Sequence, residues 1–525
     1  MVTELNDRKK GEKLMKKFIC VMMCVSILVV SGCTKKEGQS SAGGKTLTYW
    51  VEFNDQATTG LENMGQMPPY KYLQEKLGIN IEFKHPVMGQ ADEQLNLMLS
   101  SGNLPDIISY PFADSYPGGA AKALKDGVIA KLDLNKAPNL KSFLTDSDNH
   151  DVDIDVKLDD GSYYCFPAIL EDKSQTAFYG AFLRDDLLNK FGLEKPETIA
   201  DWYNVLSTMK KGGVDSPLIM SLEQLIGVFG PAYHVAYNFA VVNGKVQYMP
   251  VDGDVKGFLG EMKKWYDEGL IDQNLASVDS QMIKSYMIKG TSAATSGTVG
   301  GNLGAWQKTF DAEKSGKRLV AAATPAAQDG KVYSYTNRSR YNTFGSASIS
   351  TQCKDLDAAY KLLDFGYGDE GKMLFNFGIE GESYIVSDGQ PIFTDLVLNN
   401  PDGKSFSQMA NYYGSPNGSQ PRIQLKSYFD QFTATAQQKD AVKMWYSEDA
   451  VDESMPKITL TEEESSQIAS IKTDLQTYAD SYMLKVITGV ESLDSYDAYV
   501  DSMKKRGVDK LVEVYQTAYE RYLNR

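Results

Sequence analysis

The sequence predicts an α/β fold with a mostly parallel sheet, and three observations carry that prediction. Runs that alternate apolar and polar residues, rich in β-branched and aromatic side chains, are separated by runs with apolar residues at helical spacing. Between residues 46 and 108 they follow one another as β-α-β-α-β, an order that favours parallel strands joined by right-handed helical crossovers. The 525 residues are 42% hydrophobic and 23% charged, the balance of a folded chain of two or three domains.

Each early element has its own signal. TLTYWV at 46–51 alternates and is rich in β-formers, so it reads as the first strand. The run 68–78 reads as a helix, with Pro68 at its start and Gly78 just past its end. INIEF at 79–83 alternates again. Residues 91–100 place Leu95, Met98 and Leu99 at helical spacing, and SGNLPD at 101–106 turns into an apolar strand at Ile107 and Ile108.

Further along, residues 196–209 form a helix capped by Thr198, with Asp201 at the third position. Ile199, Trp202, Val205, Leu206 and Met209 make its apolar face, which assigns Trp202 to the core. Residues 257–269 give a second such helix with Trp265 packed. The run 320–325 is a short strand, 333–344 is polar and aromatic, 346–350 is a strand and 355–367 a helix. Thr461 and Glu464 form a capping box that opens a long helix with Ile468, Ile471, Leu475 and Tyr482 on one side. A final helical pair is broken near Gly507, and the Gly/Pro/Ser-rich run 413–421 reads as an exposed loop.

The start of the chain has a different character. Lys16 and Lys17 precede a short apolar run, 18–33, that ends in small residues and Cys33. A basic start, a short apolar core and small residues at the end make an export signal, and the run is too short to span a bilayer. Its last four residues, VSGC, resemble the lipobox of bacterial lipoproteins. That resemblance implies cleavage before Cys33 and a lipid on its sulfur, with residues 33–44 as a flexible tether. Residues 1–32 carry six basic and three acidic side chains, so the mature chain falls from a net charge of −15 to near −18. An acidic chain without a basic patch is a poor partner for nucleic acid. Cys20 and Cys24 lie in the signal. Cys165 and Cys353 are too few and too far apart for a disulfide framework and read as small core residues, with pairing left open.

A family resemblance then accumulates along the chain. SGNLPDII at 101–108, GVIAKLD at 127–133 and DGSYYCFP at 160–167 resemble, in order and spacing, patterns of the extracellular solute-binding proteins of ABC importers. The match continues through 182–202, 268–272, 349–355, 377–384 and 515–522, nearly the whole mature chain, and the subgroup is similar to the large LplA/LipO-like lipoproteins linked to oligosaccharide uptake. The resemblance implies two lobes, each with a central mostly parallel sheet flanked by helices, and a hinge between them. It places residues 45–166 with 336–400 in lobe 1 and 167–335 with 401–525 in lobe 2. It implies capture of a carbohydrate, expected to be an oligosaccharide, for delivery to membrane permease subunits. The protein is then a monomer on the outer face of the cell membrane, held by its lipid alone.

No motif for chemistry competes with this. His85, His150 and His234 stand far apart without metal-ligand spacing, and no nucleophile elbow occurs. The acidic run 146–155 lacks the Gly at loop position six and the Glu at position twelve of an EF-hand and reads as a solvated loop. Relatives that carry a calcium loop do so after the helix matching 202–209, where this chain reads KKGGVDSP. No metal, no cofactor and no catalytic residue are expected. The Gly-rich run 297–304 lacks a P-loop ending and reads as a turn lining a cleft. Sugars present apolar faces to aromatic rings and hydroxyls to polar groups. The expected ligand contacts at strand ends are Trp50, Glu52, Asp106, Tyr110, Arg184, Asp185, Trp306, Arg340 and Tyr341. The family pattern implies the roles of Arg184 and Trp306. Two other classes stay open: an exported polysaccharide-degrading enzyme, and a ligand-sensing partner of a membrane receptor kinase.

Overall fold

Strand Lys45–Trp50 pairs in parallel with Ile79–Lys84 on one side and with Ile107–Ser109 on the other. Helices Pro68–Leu77 and Ala91–Ser101 cross between them, as the alternation predicts. The computed structural model describes residues 45–53, 60–336, 338–415 and 420–525. The export signal, the lipobox with Cys33 and the tether lie outside the described residues.

The first sheet has six strands. From one edge to the other they are Arg422–Gln424, Phe166–Leu170, Tyr341–Ile349, Ile107–Ser109, Lys45–Trp50 and Ile79–Lys84. Every adjacent pair is parallel except those of Tyr341–Ile349, which runs antiparallel to both neighbours. Its helices close over a core that includes Tyr49, Tyr70, Ile108, Leu140, Phe166 and Leu363.

The second sheet is shorter, with Tyr179–Arg184 between Ala294–Thr298 and Leu319–Ala321. Both pairs are antiparallel, which corrects the expectation of a mostly parallel sheet in this lobe. The cause is topological: Tyr179–Arg184 carries the chain away from the first sheet, and the two neighbours carry it back. Leu218 adds single parallel bridges to Ile271 and Ala294. On one face Trp202, Phe229 and Trp265 form a ladder of edge-to-face rings, both pairs 5.1 Å apart, inside a core shared with the helices Glu462–Ile487 and Val508–Tyr522. On the other face lies a smaller core around Phe182, Trp306 and Phe310.

The capping boxes at Thr198 and Asp201 and at Thr461 and Glu464 form as read, and Gly507 (φ 100°) breaks the last two helices apart. The lobe boundary expected near 400 needs correction. Strand Arg422–Gln424 extends the first sheet, so the chain changes sheets only afterwards, before helix Ala436–Tyr446 packs in the smaller core of the second. The run 413–421 is not an exposed loop at its described ends, because Tyr413, Ser415, Gln420 and Pro421 are buried.

The acidic run 146–155 also differs from its reading as a solvated loop. It folds into a short 3-10 turn and the helix His150–Val156, and its carboxylates anchor the chain where it passes between sheets. Asp151 takes the Arg340 guanidinium at 2.6 Å, and Arg340 also donates to the carbonyls of Asp148 and Glu171 and to the Asn149 side chain. Burial pushes the Asp151 carboxyl up, but the hydrogen bonds and charge of Arg340 more than offset it, leaving the group below its ordinary range. Asp155 accepts the hydroxyls of Ser339 and of Tyr522, from the last helix. Its burial outweighs those bonds and holds its carboxyl above the ordinary range. Asp159 takes Arg521 at 2.8 Å and Arg525 at 2.7 Å. One short helix thus ties the returning segment and the C-terminal helix of the second lobe to the first.

Candidate functional site

The carboxyl ends of Phe166–Leu170, Ile107–Ser109 and Lys45–Trp50 share one edge of the first sheet, and at that edge the chain leaves for the second lobe. In open α/β sheets this is where ligands bind. A cavity of about 470 Å³ lies there, within the usual range for a small-molecule site. Its walls come from 176–181, where the chain enters the second sheet, from helix Leu222–Phe229, from the returning residues 332–336 and Arg338, and from the end of helix Ala436–Tyr446.

The lining is aromatic: Phe178, Tyr179, Tyr237, Tyr333, Tyr335, Trp445 and Tyr446. Phe178 and Tyr179 are 50% and 44% exposed, so apolar ring surface is open to a ligand. The polar ends of Tyr179, Tyr237, Tyr333, Tyr335 and Trp445 are each fixed by a neighbour. The Tyr179 hydroxyl lies 3.1 Å from Ser296 Oγ and accepts from Gln224 at 2.9 Å. Tyr335 donates to Glu453 at 3.0 Å and Tyr237 to Asp480 at 2.9 Å. Burial, with the Asp480 carboxylate beside it, pushes the Tyr237 phenol up to about 12, so it stays a neutral donor. Glu223 and Arg338 are the charged side chains of the lining, one of each sign, and the Arg338 guanidinium stacks 5.1 Å from the Tyr446 ring centre.

Trp445 is held most firmly. Its Nε1 donates to the carbonyls of Ala181 and Ala322, and its ring lies flat against Gly180. A Cβ at Gly180 would meet three indole atoms at 2.5 Å. Gly180→Ala is therefore expected to displace Trp445 and shift its fluorescence, with little loss of secondary structure by circular dichroism. An unchanged emission spectrum would contradict this packing.

None of the nine sequence-predicted contacts lines the cavity. Trp50 and Tyr110 stand at the right edge but are buried against one another, ring centres 6.5 Å apart, with the Tyr110 hydroxyl donating to Asp92. Glu52 is half-buried beside them. Asp106 stands at the opposite, amino end of its strand, where it accepts from the amide and hydroxyl of Thr48. Arg184 and Asp185 close the far end of Tyr179–Arg184, roughly 16 Å along the strand from Tyr179 at about 3.3 Å per residue. Arg184 is 4% exposed and gives its fork to Asp186, and Asp185 faces Arg318. Trp306 packs edge-on to Phe182 in the core. Arg340 is spent on Asp151, and Tyr341 is buried with its hydroxyl against Tyr164 and Cys165.

Except for Trp306, which lies in helix Ala305–Ala312, these residues stand near strand ends, but sheet order and burial give them structural work. The glycine run packs against the chain's own side chains, Phe432 at Gly300 and Gln438 at Gly304, and does not line the cavity. The cavity aromatics were missed because they sit in connections or at the very ends of elements, as Tyr179 does at the start of its strand and Trp445 and Tyr446 at the end of their helix. Their signals were the aromatic run from 333 and the Trp445-Tyr446 pair at a helix end. Cys165 and Cys353 are free thiols. Among the described residues, no group of three or more His, Cys, Asp or Glu is placed to hold a metal.

The chain has the two-lobed α/β fold of solute-binding proteins. It aligns structurally with the substrate-binding protein FusA of S. pneumoniae in complex with kestose at a TM-score of 0.72 and 20% identity, over 91% of this chain and 100% of that one. The alginate-binding protein AlgQ2 aligns at 0.70 and 21%, over 91% and 97%. In sequence it is similar to several curated proteins, two of which cover most of the chain. One is the lipoprotein LipO of Bacillus subtilis, 23% identical over 404 residues, 74% of this chain and 77% of LipO. The other is the fructooligosaccharide ABC transporter substrate-binding protein FusA of Streptococcus pneumoniae, 23% identical over 551 residues, 96% and 97% of the two. No protein-family model matches the sequence. Among the described residues, no helix is long and apolar enough to cross a membrane.

Proposed function

We propose that this protein captures an uncharged oligosaccharide outside the cell and presents it, unaltered, to the permease of an ABC importer. The observation that carries this reading is the cavity at the carboxyl edge, with its aromatic lining and balanced charge. Rings supply flat apolar faces for sugar C–H groups, and Gln224, Thr324, Ser334 and Thr336 supply hydroxyl partners. A lining with one acid and one base gives no excess charge to hold a uronate or phosphate. The relatives support the class: FusA is a fructooligosaccharide ABC transporter substrate-binding protein, and LipO is a lipoprotein. Lipidation at Cys33, action as a monomer and the absence of catalysis belong to the same proposal.

Thermal unfolding of the full mature chain against neutral, anionic and amino sugars is the test. A ligand at 100 times its Kd stabilises the folded state by about 2.7 kcal/mol. A rise in Tm with a neutral oligosaccharide alone, and recovery of that sugar intact, is the expected result. A rise only with an anionic glycan, or a cleaved product, would overturn it.

A further inference from the structure

The second lobe supplies the rings that line the cavity, yet a sugar enclosed in a cleft needs apolar surface on both sides. We infer that Phe344 is the first lobe's stacking platform, closing over the ligand from the opposite side. This rests on the proposed carbohydrate site and names a contact within it.

The geometry of strand Tyr341–Ile349 carries the inference. Against Phe166–Leu170 its register jumps between Asn342, opposite Ala168, and Ala347, opposite Phe166, so residues 343–346 bulge out. Ala347 is also opposite Ser109, the last residue of its strand, so on that side the bulge lies past the carboxyl end of Ile107–Ser109, while on the other side it faces Pro167 within Phe166–Leu170. Phe344 is six residues beyond the cavity residue Arg338, within about 20 Å by chain reach.

The bulge is braced. The Phe344 amide donates to the Asn342 side chain at 3.1 Å, and Ser346 Oγ donates to the Asn342 carbonyl at 3.0 Å. Ser109 Oγ donates to the Ser346 carbonyl at 3.0 Å, and the Thr343 hydroxyl donates to Asp114. Thr343 and Ser346 are buried while Phe344 is 72% exposed. Bulges re-aim side chains beside binding sites, and here one braced on both sides aims a phenyl ring at solvent.

A single exposed apolar residue is ordinary on a protein surface, so the comparison that matters is with the other exposed rings. Among the described residues these are Tyr72, Phe178 and Tyr179. Phe178 and Tyr179 line the cavity, and Tyr72 donates its hydroxyl to Glu370 at 2.5 Å. Phe344 has neither a polar handle nor a packed neighbour to account for it.

The test is titration of the full mature chain with kestose and a series of other neutral oligosaccharides, in wild type, Phe344→Ala, Phe344→Trp and Trp445→Ala. The expected result is binding about tenfold weaker in Phe344→Ala, retained in Phe344→Trp, with the Tm of the unliganded protein unchanged in both. Unchanged affinity in Phe344→Ala alongside lost affinity in Trp445→Ala overturns the role of Phe344 and leaves the cavity reading standing. A Tm lowered by Phe344→Ala also overturns it, since that ring would then be packing. If wild type binds none of the sugars, the platform and the site fail together.

Discussion

Replacing Trp445 with alanine is expected to weaken glycan binding about 30-fold or more, the effect of removing an aromatic anchor worth about 2 kcal/mol. The indole sits in the cavity wall, pinned by two backbone carbonyls and laid flat on Gly180, so its face is preorganised and little entropy is lost on binding. Ala181 O keeps the Ala322 amide as a partner after the truncation, so the strand pairing survives. Trp445→Phe keeps a ring on the same floor and should lose much less affinity. The protein supplies its own optical probe: Trp50, Trp202, Trp265 and Trp306 are buried, and Trp445 is the half-exposed one. A glycan that binds without changing tryptophan emission, or that binds Trp445→Ala as tightly as wild type, would remove Trp445 from the site.

Arg340→Ala should be the most destabilising of the substitutions considered. The guanidinium is buried and donates to the Asp151 carboxylate, two backbone carbonyls and the Asn149 amide oxygen. Its removal leaves those acceptors without their donor at the point where the chain re-enters the first sheet. Breaking a buried pair in this way costs about 3 kcal/mol. Arg340→Lys keeps the charge but loses the fork, so it should fall between alanine and wild type. Thermal or urea unfolding reads the effect directly. A midpoint unmoved by Arg340→Ala would mean that the helix His150–Val156 does not hold the lobes as described. Asp151 is held below its ordinary range by the same guanidinium, despite its burial. The stability that the pair contributes is therefore present above the ordinary aspartate pKa and lost as pH falls through the depressed value.

The two substitutions separate functions that the sequence did not distinguish. Arg340, expected at the ligand, fastens the returning segment, while Trp445, at the end of helix Ala436–Tyr446, was not among the expected contacts. Each reading followed the local pattern. A strand-end arginine looks the same whether it faces a crevice or a carboxylate on another helix. Which one it faces depends on Asp151, 189 residues away in sequence.

What the sequence determined by itself is what short-range physics controls. The β-α-β-α-β order, the capping boxes at Thr198 and Thr461, the break at Gly507 and the burial of Trp202 and Trp265 follow from periodicity, cap chemistry and backbone freedom within a few residues. The two-lobed class was legible through the order of many weak motifs. Tertiary structure alone decided three things. It set Arg422–Gln424 beside Phe166–Leu170, moving the last sheet change past 424. It turned the acidic run into an anchor, because the partners of those carboxylates, Arg340 for Asp151 and Tyr522 for Asp155, lie far along the chain. And it gathered Tyr179, Tyr335 and Trp445 into one wall, since segments 266 residues apart meet only when both sheets have formed. Burial and proximity are properties of the assembled chain, and no window of sequence contains them.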